Sequence, residues 1–269
     1  GHGFSRAVKA LQKCGASAPE GVHLGYKDIS ETCPNPMDFS HFTTISFDCY
    51  GTLIDWEAGM LPVLRALLAR HNCNLADGAI LELHGEFEAE AEAGPYRSYG
   101  EVLQSVVRAF GERLGFQPSP SESRSLHESV AGWPAFPDTV AALRQLKTRY
   151  KLAVISNIDA NLFAETRKLL DIEFDAVVTA EQARSYKPSV HNFELSLQTL
   201  GIAREQLLHA GQSIYHDVIP ARSLGIATAW VNRKSARPGI GAVRAAEGRA
   251  DVEVSDLAAL AALAAPPKS

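Results

Sequence analysis

The chain reads FTTISFDCYGTL over residues 42–53, and this stretch decides the fold that we expect. Residues 42–47 are apolar, β-branched or aromatic, which predicts a buried strand. Asp48 follows the strand directly, with Gly51 and Thr52 close behind. Open α/β sheets place their chemistry at this edge, where a turn exposes the carboxylate and backbone N–H groups can hold it ionised. The alternative is that Asp48 only caps the turn.

From residue 138 onward, strand and helix patterns alternate regularly. Short apolar runs typical of buried strands are followed by segments whose apolar residues recur at helical spacing. This alternation predicts a parallel sheet with right-handed helical crossovers, an α/β fold. The predicted strands span 151–156, 174–178, 207–210 and 227–231, and the predicted helices span 138–150, 161–170, 191–200, 217–224 and 256–263.

Between the first predicted strand and this alternating region, residues 58–133 show helical patterns only, over 59–70, 76–93, 99–114 and 119–130. We expect this insertion to form a cap over the carboxyl edge of the sheet, with residues 42–57 and 134–269 as the core. Charged runs on a helix usually face water, so the glutamates of the second helix predict a solvated surface. They are Glu82, Glu86, Glu88, Glu90 and Glu92.

Residues 1–41 differ from the rest, being rich in Gly, Ser, Pro and Cys. The opening Gly-His-Gly resembles the remnant of an expression tag, and Met37 stands where a natural chain could start. We therefore expect an N-terminal extension that is tag-derived or disordered. An arm that packs on a partner is the alternative.

Composition narrows the possible partners. The 269 residues are 46% hydrophobic, enough to bury a full core. The net charge of −5 does not favour a nucleic acid or an anionic membrane, and no apolar run reaches membrane-spanning length. The four cysteines form no C-x-x-C pair, which favours a reducing cytoplasm and indicates neither a disulfide framework nor a zinc site.

Polar residues cluster at the carboxyl ends of the predicted strands. They are Asp48 with Thr52, Ser156 with Asn157, Lys187 in Ser-Tyr-Lys-Pro, and Asp217 in Gly-Gln-Ser-Ile-Tyr-His-Asp. Each cluster alone has a plain structural explanation, as a turn or helix cap, a loop lysine or a first-turn acid. Their convergence at one edge indicates a reaction site instead.

The chemistry of these groups is coherent. Asp48 can attack an electrophilic centre and form an ester, while Lys187 holds it ionised and oriented. Thr52, Ser156 and Asn157 can donate hydrogen bonds to an acidic group of the substrate or to the leaving group. Asp217 can position or activate the water that hydrolyses the ester.

In order, the motifs Asp-Cys-Tyr-Gly-Thr-Leu, Ser-Asn, Tyr-Lys-Pro and Gly-Gln-Ser-x-x-x-Asp resemble those of the haloacid dehalogenase superfamily, over about residues 42–233. The resemblance implies a Rossmann-like sheet with an inserted helical cap. Tyr50 stands where the phosphatases of the superfamily carry a second aspartate, and Gln212 where they bind magnesium through an acid. With Trp-Val-Asn-Arg at 230–233, this pattern is similar to that of the type II 2-haloacid dehalogenases.

That subgroup implies a metal-free hydrolase without a cofactor. Asp48 would displace halide from C2 of a short 2-haloacid with inversion, and Lys187 and Asp217 would help to hydrolyse the ester to a 2-hydroxyacid. Tyr50, Gln212 and His216 would contact this small-molecule substrate. A homodimer through the cap is common in the family.

The chain also departs from the subgroup. The dehalogenases carry an arginine on the first cap helix that binds substrate and accepts halide, whereas this chain has His84 or Gly85 there. Arg97 is the nearest substitute in the cap. Further departures are Phe193 in place of a tyrosine, Ile214 in place of an asparagine, and His216 in place of an aromatic residue.

Two other functions therefore stay open. A phosphatase acting on a small phosphorylated metabolite would need Mg²⁺, with Asp48, the Tyr50 carbonyl and Asp217 as ligands. A chain that has drifted to binding, or to another electrophile, would fit the missing arginine and asparagine. Magnesium dependence separates the first alternative from a dehalogenase.

Overall fold

The computed structural model describes residues 37–233, 242 and 246–266. Its centre is a six-stranded sheet in the order β3-β2-β1-β4-β5-β6, in which every neighbouring pair is parallel. The strands are β1 Thr44–Phe47, β2 Lys151–Ser156, β3 Ala176–Thr179, β4 Leu207–Gly211, β5 Ala227–Val231 and β6 Val252–Val254. The predicted α/β class with a parallel sheet is confirmed.

Strand β1 lies in the middle of the sheet, with Phe47 aligned to Val154 of β2 and to Ala210 of β4. All of its residues are buried, as expected for a parallel strand covered by helices on both faces. The strand order reverses direction between β1 and β4. Such a switch point leaves a crevice beyond the strand ends, where α/β sheets bind their ligands.

Helices lie in the connections from β1 to β5, and one more helix follows β6. Four of them, α1 Trp56–Arg70, α2 Asp77–Glu92, α3 Tyr99–Leu114 and α4 Pro120–Ser129, lie in the insertion between β1 and β2. The others are α5 Thr139–Lys147, α6 Ala160–Leu170, α7 Ala180–Ala183, α8 His191–Leu200, α9 Ile219–Ser223 and α10 Leu257–Ala264. Among the described residues, no helix is both long enough and apolar enough to cross a bilayer.

The inserted helices and the sheet share one hydrophobic cluster, which includes Ile45 of β1, Leu64 of α1 and Val106 of α3. The division into a cap of residues 58–133 and a core of 42–57 and 134–269 stays a prediction. The predicted N-terminal extension lies outside the described residues except for 37–41. In that short part, Phe39 is buried against the same cluster.

Two short elements were not predicted. Strand β6 has three residues and α7 has four, too few for a periodic pattern to indicate them. Their places follow from packing: β6 pairs with β5, and α7 begins directly at the end of β3 with a capping box from Thr179 and Gln182.

Candidate active site

The carboxyl ends of β1, β2 and β4 open into a cavity of about 60 Å³. Most residues of the motifs line it, because the ends of parallel strands meet at one edge. These residues are Asp48, Tyr50, Ser156, Asn157, Lys187, Gln212, His216 and Asp217. The structure thus brings the motifs together, whereas Thr52, His84 and Arg97 lie outside the wall of this cavity.

The Lys187 ammonium is buried between two carboxylates. Its Nζ donates to Asp48 Oδ1 at 2.9 Å, to Asp217 Oδ1 at 2.6 Å and to the Ile155 carbonyl at 2.9 Å. These bonds use all three donors of an ammonium group. Burial alone would lower the pKa of Lys187, but the two carboxylates outweigh it and raise that pKa above its ordinary value. Lys187 therefore stays charged and fixes both acids.

Asp48 is held at both of its oxygens. Lys187 binds Oδ1, and the Thr52 hydroxyl donates to Oδ2 at 2.8 Å. Burial raises the pKa of Asp48 above its ordinary value, against the opposing pull of Lys187. Thr52 also accepts a bond from the Gln212 backbone N–H at 2.9 Å. The prediction that Thr52 contacts the substrate is therefore not supported, since its hydroxyl is used in orienting Asp48.

Asp217 comes from a π-helical turn, Ile214–Val218, that follows β4. Gly211 allows the carboxylate to approach the strand end, because a Cβ at this position would lie 2.5 Å from Asp217 Cγ. Burial would raise the pKa of Asp217, but Lys187 and His209 outweigh it and hold the pKa well below its ordinary value. Asp217 is therefore an ionised hydrogen-bond acceptor.

His209 is a site residue that the motifs do not indicate. It is buried in β4, with Nε2 3.2 Å from Asp217 Oδ1 and Nδ1 2.9 Å from the Ser46 hydroxyl. An ionised carboxylate can only accept, so His209 donates to Asp217 through Nε2. The available sequence signal was a histidine within the apolar run Leu-Leu-His-Ala, because a buried polar group needs a partner.

The Ser156-Asn157 motif contributes two different contacts. Asn157 brackets the backbone of Lys187: its Oδ1 accepts from the Lys187 N–H at 2.7 Å, and its Nδ2 donates to the Lys187 carbonyl at 3.1 Å. The Ser156 hydroxyl lines the cavity and is fully buried, yet it has no hydrogen-bond partner in the described part of the chain. It is therefore able to bind a group that enters the cavity.

The inserted helices provide four further residues of the wall, and Ser213 and Ala242 complete it. The four residues from the helices are Trp56 of α1, Glu88 and Glu92 of α2, and Tyr99 of α3. The prediction that the α2 glutamates all face water is wrong for Glu88 and Glu92. Burial raises the pKa of Glu88 to about 7, although its Oε1 accepts a bond from the Tyr99 hydroxyl at 2.7 Å. Burial and the neighbouring Glu88 raise the pKa of Glu92 well above its ordinary value.

The two predicted substitutes for the missing cap arginine point elsewhere. Arg97 is exposed, and its guanidinium donates to the Ala91 carbonyl at 2.8 Å and to the Ser105 hydroxyl at 3.2 Å. His84 is fully buried behind Trp56, with their rings edge to face at 5.7 Å, and burial lowers its pKa to about 4. Neither residue reaches the cavity, so the prediction that they bind substrate is not supported.

Two further motif positions are explained by packing. The hydroxyls of Tyr50 and Thr166 are 2.7 Å apart, which fixes the Tyr50 ring in the cavity wall. Phe193, which replaces the expected tyrosine, packs edge-on against the His209 ring at 5.0 Å. In the described residues, no group of three or more His, Cys, Asp or Glu side chains is arranged to hold a metal ion.

Comparison with known proteins finds a matching family and similar relatives. A model for haloacid dehalogenase-like hydrolases matches residues 42–225. The (S)-2-haloacid dehalogenase H-109 of Pseudomonas putida is 29% identical over 200 residues, 71% of this chain and 86% of that protein. Haloacetate dehalogenase H-2 of Moraxella is 26% identical over 195 residues, 70% of this chain and 85% of that protein.

The fold is also similar to a solved structure, the L-2-haloacid dehalogenase from Xanthobacter autotrophicus. The TM-score is 0.70 at 22% sequence identity, and the match covers 82% of this chain and 98% of that one. At this identity the likeness establishes the shared fold, a parallel sheet with inserted helices.

Proposed function

The chain belongs to the family of haloacid dehalogenase-like hydrolases, and on this basis we propose that it hydrolyses the carbon–halogen bond of a short 2-haloacid. The product is a 2-hydroxyacid. The observation that carries this proposal is the placement of the Lys187 ammonium between Asp48 and Asp217, at the end of β1. The names of the curated relatives support the substrate class.

In the first step, Asp48 attacks C2 of the substrate. A bond forms between a carboxylate oxygen and C2, the carbon–halogen bond breaks, and its electron pair leaves with the halide. Thr52 and Lys187 hold the attacking carboxylate in place. Halide departs without a proton, so the reaction does not need an acid at position 50, which is Tyr50 here.

In the second step, water attacks the ester carbonyl of Asp48. The bond between the carbonyl carbon and the alcohol oxygen breaks, one proton of the water passes to the alcohol oxygen, the other is released to solvent, and the carboxylate is restored. Asp217 accepts a hydrogen bond from the attacking water, and Lys187 stabilises the negative charge that develops on the carbonyl oxygen. Because the pKa of Asp217 is held low, its role is to orient the water more than to remove its proton.

The Mg²⁺-dependent phosphatase remains the second candidate. It is supported by the pair of carboxylates, Asp48 and Asp217, at one edge of the sheet. A metal ion bound to both would compete with the Lys187 ammonium for the same oxygens. Mg²⁺ also prefers hard oxygen ligands in octahedral array, and Gln212 supplies no carboxylate. We therefore favour the metal-independent reaction.

The deciding experiment measures halide release from racemic 2-chloropropionate and from fluoroacetate, each with EDTA and with added Mg²⁺. We expect halide release that does not respond to EDTA and that disappears in Asp48→Asn. Phosphate release from p-nitrophenyl phosphate that depends on Mg²⁺, without halide release, would establish the phosphatase. If neither halide nor phosphate is released, both reactions are rejected and other electrophiles should be tested as substrates.

A further inference from the structure

The inserted helices line the same cavity as Asp48, so they are close to any leaving group that Asp48 displaces. In-line displacement by Asp48 sends the leaving group away from the attacking oxygen, and Asp48 stands at the end of β1. Side chains from the insertion, among them Glu88 and Glu92, line the same cavity of about 60 Å³. In a cavity this small a departing halide comes close to these carboxyl groups, and its negative charge needs a donor there.

No free lysine or arginine is available for that charge among the described lining residues. Lys187 is the one lysine or arginine in this part of the wall, and all of its donors are taken by Asp48, Asp217 and the Ile155 carbonyl. Ionised glutamates would repel a halide, because like charges in a poorly solvated site interact strongly. A neutral carboxylic acid, in contrast, donates a hydrogen bond.

Glu92 is the carboxyl group with free hydrogen-bonding capacity. In the described part of the chain it makes no hydrogen bond or ion pair, whereas Glu88 accepts from Tyr99. The charged or titratable groups around it are Glu88 on its own helix, Tyr99 of α3, Tyr186 and Lys187 between α7 and α8, and His216 of the π-helical turn, while Tyr96, Arg184 and Tyr215 line a neighbouring cavity with it. Burial and Glu88 raise its pKa, and Lys187 offsets this only in part.

A second observation points to a bound group in the same cavity. The Ser156 hydroxyl at the end of β2 is fully buried, lines the cavity and has no partner in the described residues. Buried polar groups are normally hydrogen-bonded, so this hydroxyl is a site for a ligand atom. The cavity thus offers a donor at the strand edge as well as an acid on the inserted helix.

We propose that Glu92, as a neutral acid, donates a hydrogen bond to the departing halide and so replaces the missing cation. This inference rests on the proposed function. As the Asp48–C2 bond forms, the electron pair of the carbon–halogen bond passes to the halide, which accepts the bond from the Glu92 O–H. The proton stays on Glu92. Such a site favours small leaving groups that accept strong hydrogen bonds, fluoride before chloride and chloride before bromide.

The test uses Asp48→Asn, because its uncharged side chain resembles the esterified state from which halide has just left. Bromide binding is followed by quenching of tryptophan fluorescence, since Trp56 lines the cavity, and Trp56→Phe identifies that signal. We expect Glu92→Ala in this background to weaken bromide binding about tenfold at about pH 6, the usual effect of losing a hydrogen bond to an ion. Glu90→Ala, an exposed glutamate of the same helix, is the matched control.

Glu92→Gln separates a donor from a merely structural residue. An amide donates at every pH, whereas the acid loses its proton as the pH rises through its raised pKa. At about pH 9 the Gln variant should therefore bind bromide about tenfold more tightly than its Glu92 parent, while the two agree within about threefold at about pH 6. Parallel pH curves for the two proteins, or unchanged binding in Glu92→Ala, would overturn the proposal.

Turnover provides an independent readout. Glu92→Ala should lower kcat more for fluoroacetate than for chloroacetate, because fluoride depends more strongly on a donor. If Glu92→Gln weakens binding of ethylammonium while bromide is unaffected, Glu92 recognises a cation and the inference is wrong. If bromide binding follows the prediction but the wild-type protein releases no halide, the proposed function fails and the anion site remains.

Discussion

At the scale of single residues, Lys187 has the largest electrostatic effect. Lys187 is buried, and its positive charge balances two buried carboxylates. This charge therefore contributes both to the stability of the fold and to the reaction. Lys187→Met keeps most of the side-chain volume but leaves Asp48 and Asp217 facing each other without a cation. We expect the free energy of unfolding at neutral pH to fall by about 3–5 kcal/mol, the usual cost of breaking a buried ion pair.

The pH dependence of this loss has a definite sign. The pKa of Asp217 is lowered in the folded protein, so its contribution is present above the ordinary aspartate pKa and is lost as pH falls through the lowered value. Without Lys187 the pKa values of both acids rise, and protonation relieves the repulsion. Urea unfolding should therefore show the variant approaching the wild-type protein in acid. If the difference between their free energies of unfolding instead grew in acid, this electrostatic account would be contradicted.

His209 positions Asp217 without lining the cavity. His209→Leu should remove the bond at Asp217 Oδ1, raise the pKa of Asp217 and slow hydrolysis of the ester by about tenfold to a hundredfold. Because the attack by Asp48 does not involve His209, a burst of halide should precede slow turnover. Intact-protein mass spectrometry should then detect the accumulated ester. Equal slowing of the burst and of turnover would indicate general disruption instead.

At the scale of elements, the end of β4 requires a glycine. Gly211→Ala would place a Cβ 2.5 Å from Asp217 Cγ, so the π-helical turn must shift. We expect a loss of about 1–3 kcal/mol in the free energy of unfolding, typical of overpacking, and a larger loss of kcat than of substrate affinity. Gly132→Ala is the control, since a Cβ there meets no atom within 4 Å. Similar effects of both substitutions would refute the steric explanation.

The sequence predicted strand ends better than it predicted the inner face of the insertion. Asp48, Ser156 and Asp217 follow apolar runs, and parallel topology alone brings such positions together. Glu88 and Glu92 lie four residues apart on one face of α2, whereas Glu90 points outward. A helix that covers a polar cavity has polar residues on both faces, so composition could not show which face is buried.

Side-chain contacts across the fold were also beyond sequence reasoning. The Arg233 guanidinium donates to the Thr52 carbonyl at 2.7 Å, and this bond links the end of β5 to the turn after Asp48. Arg233 also forms an ion pair with Asp138. The motif Trp-Val-Asn-Arg marked Arg233 as a family feature, but it did not reveal this supporting contact. Such pairs depend on the final packing of distant segments, which no local pattern records.

At the scale of the whole molecule, Asp159 connects the core to the inserted helices. It follows β2, and its carboxylate accepts the backbone N–H groups of Tyr99 at 2.8 Å and Gly100 at 2.9 Å, at the start of α3. Unpaired N–H groups and the helix dipole make this end of α3 favourable for an anion. Tyr99 in turn binds Glu88, so Asp159 supports the acidic wall of the cavity indirectly.

We therefore expect Asp159→Ala to affect the cavity as well as stability. The free energy of unfolding should fall by about 1–2 kcal/mol, as for loss of a helix cap, and KM should rise while halide release remains measurable. The matched control is Glu173→Ala, whose ion pair with Arg167 is exposed and contributes little. Because Asp159 touches the start of α3 and not the reacting atoms, a loss of kcat at unchanged KM would show that it acts on the chemistry instead of on the position of the wall.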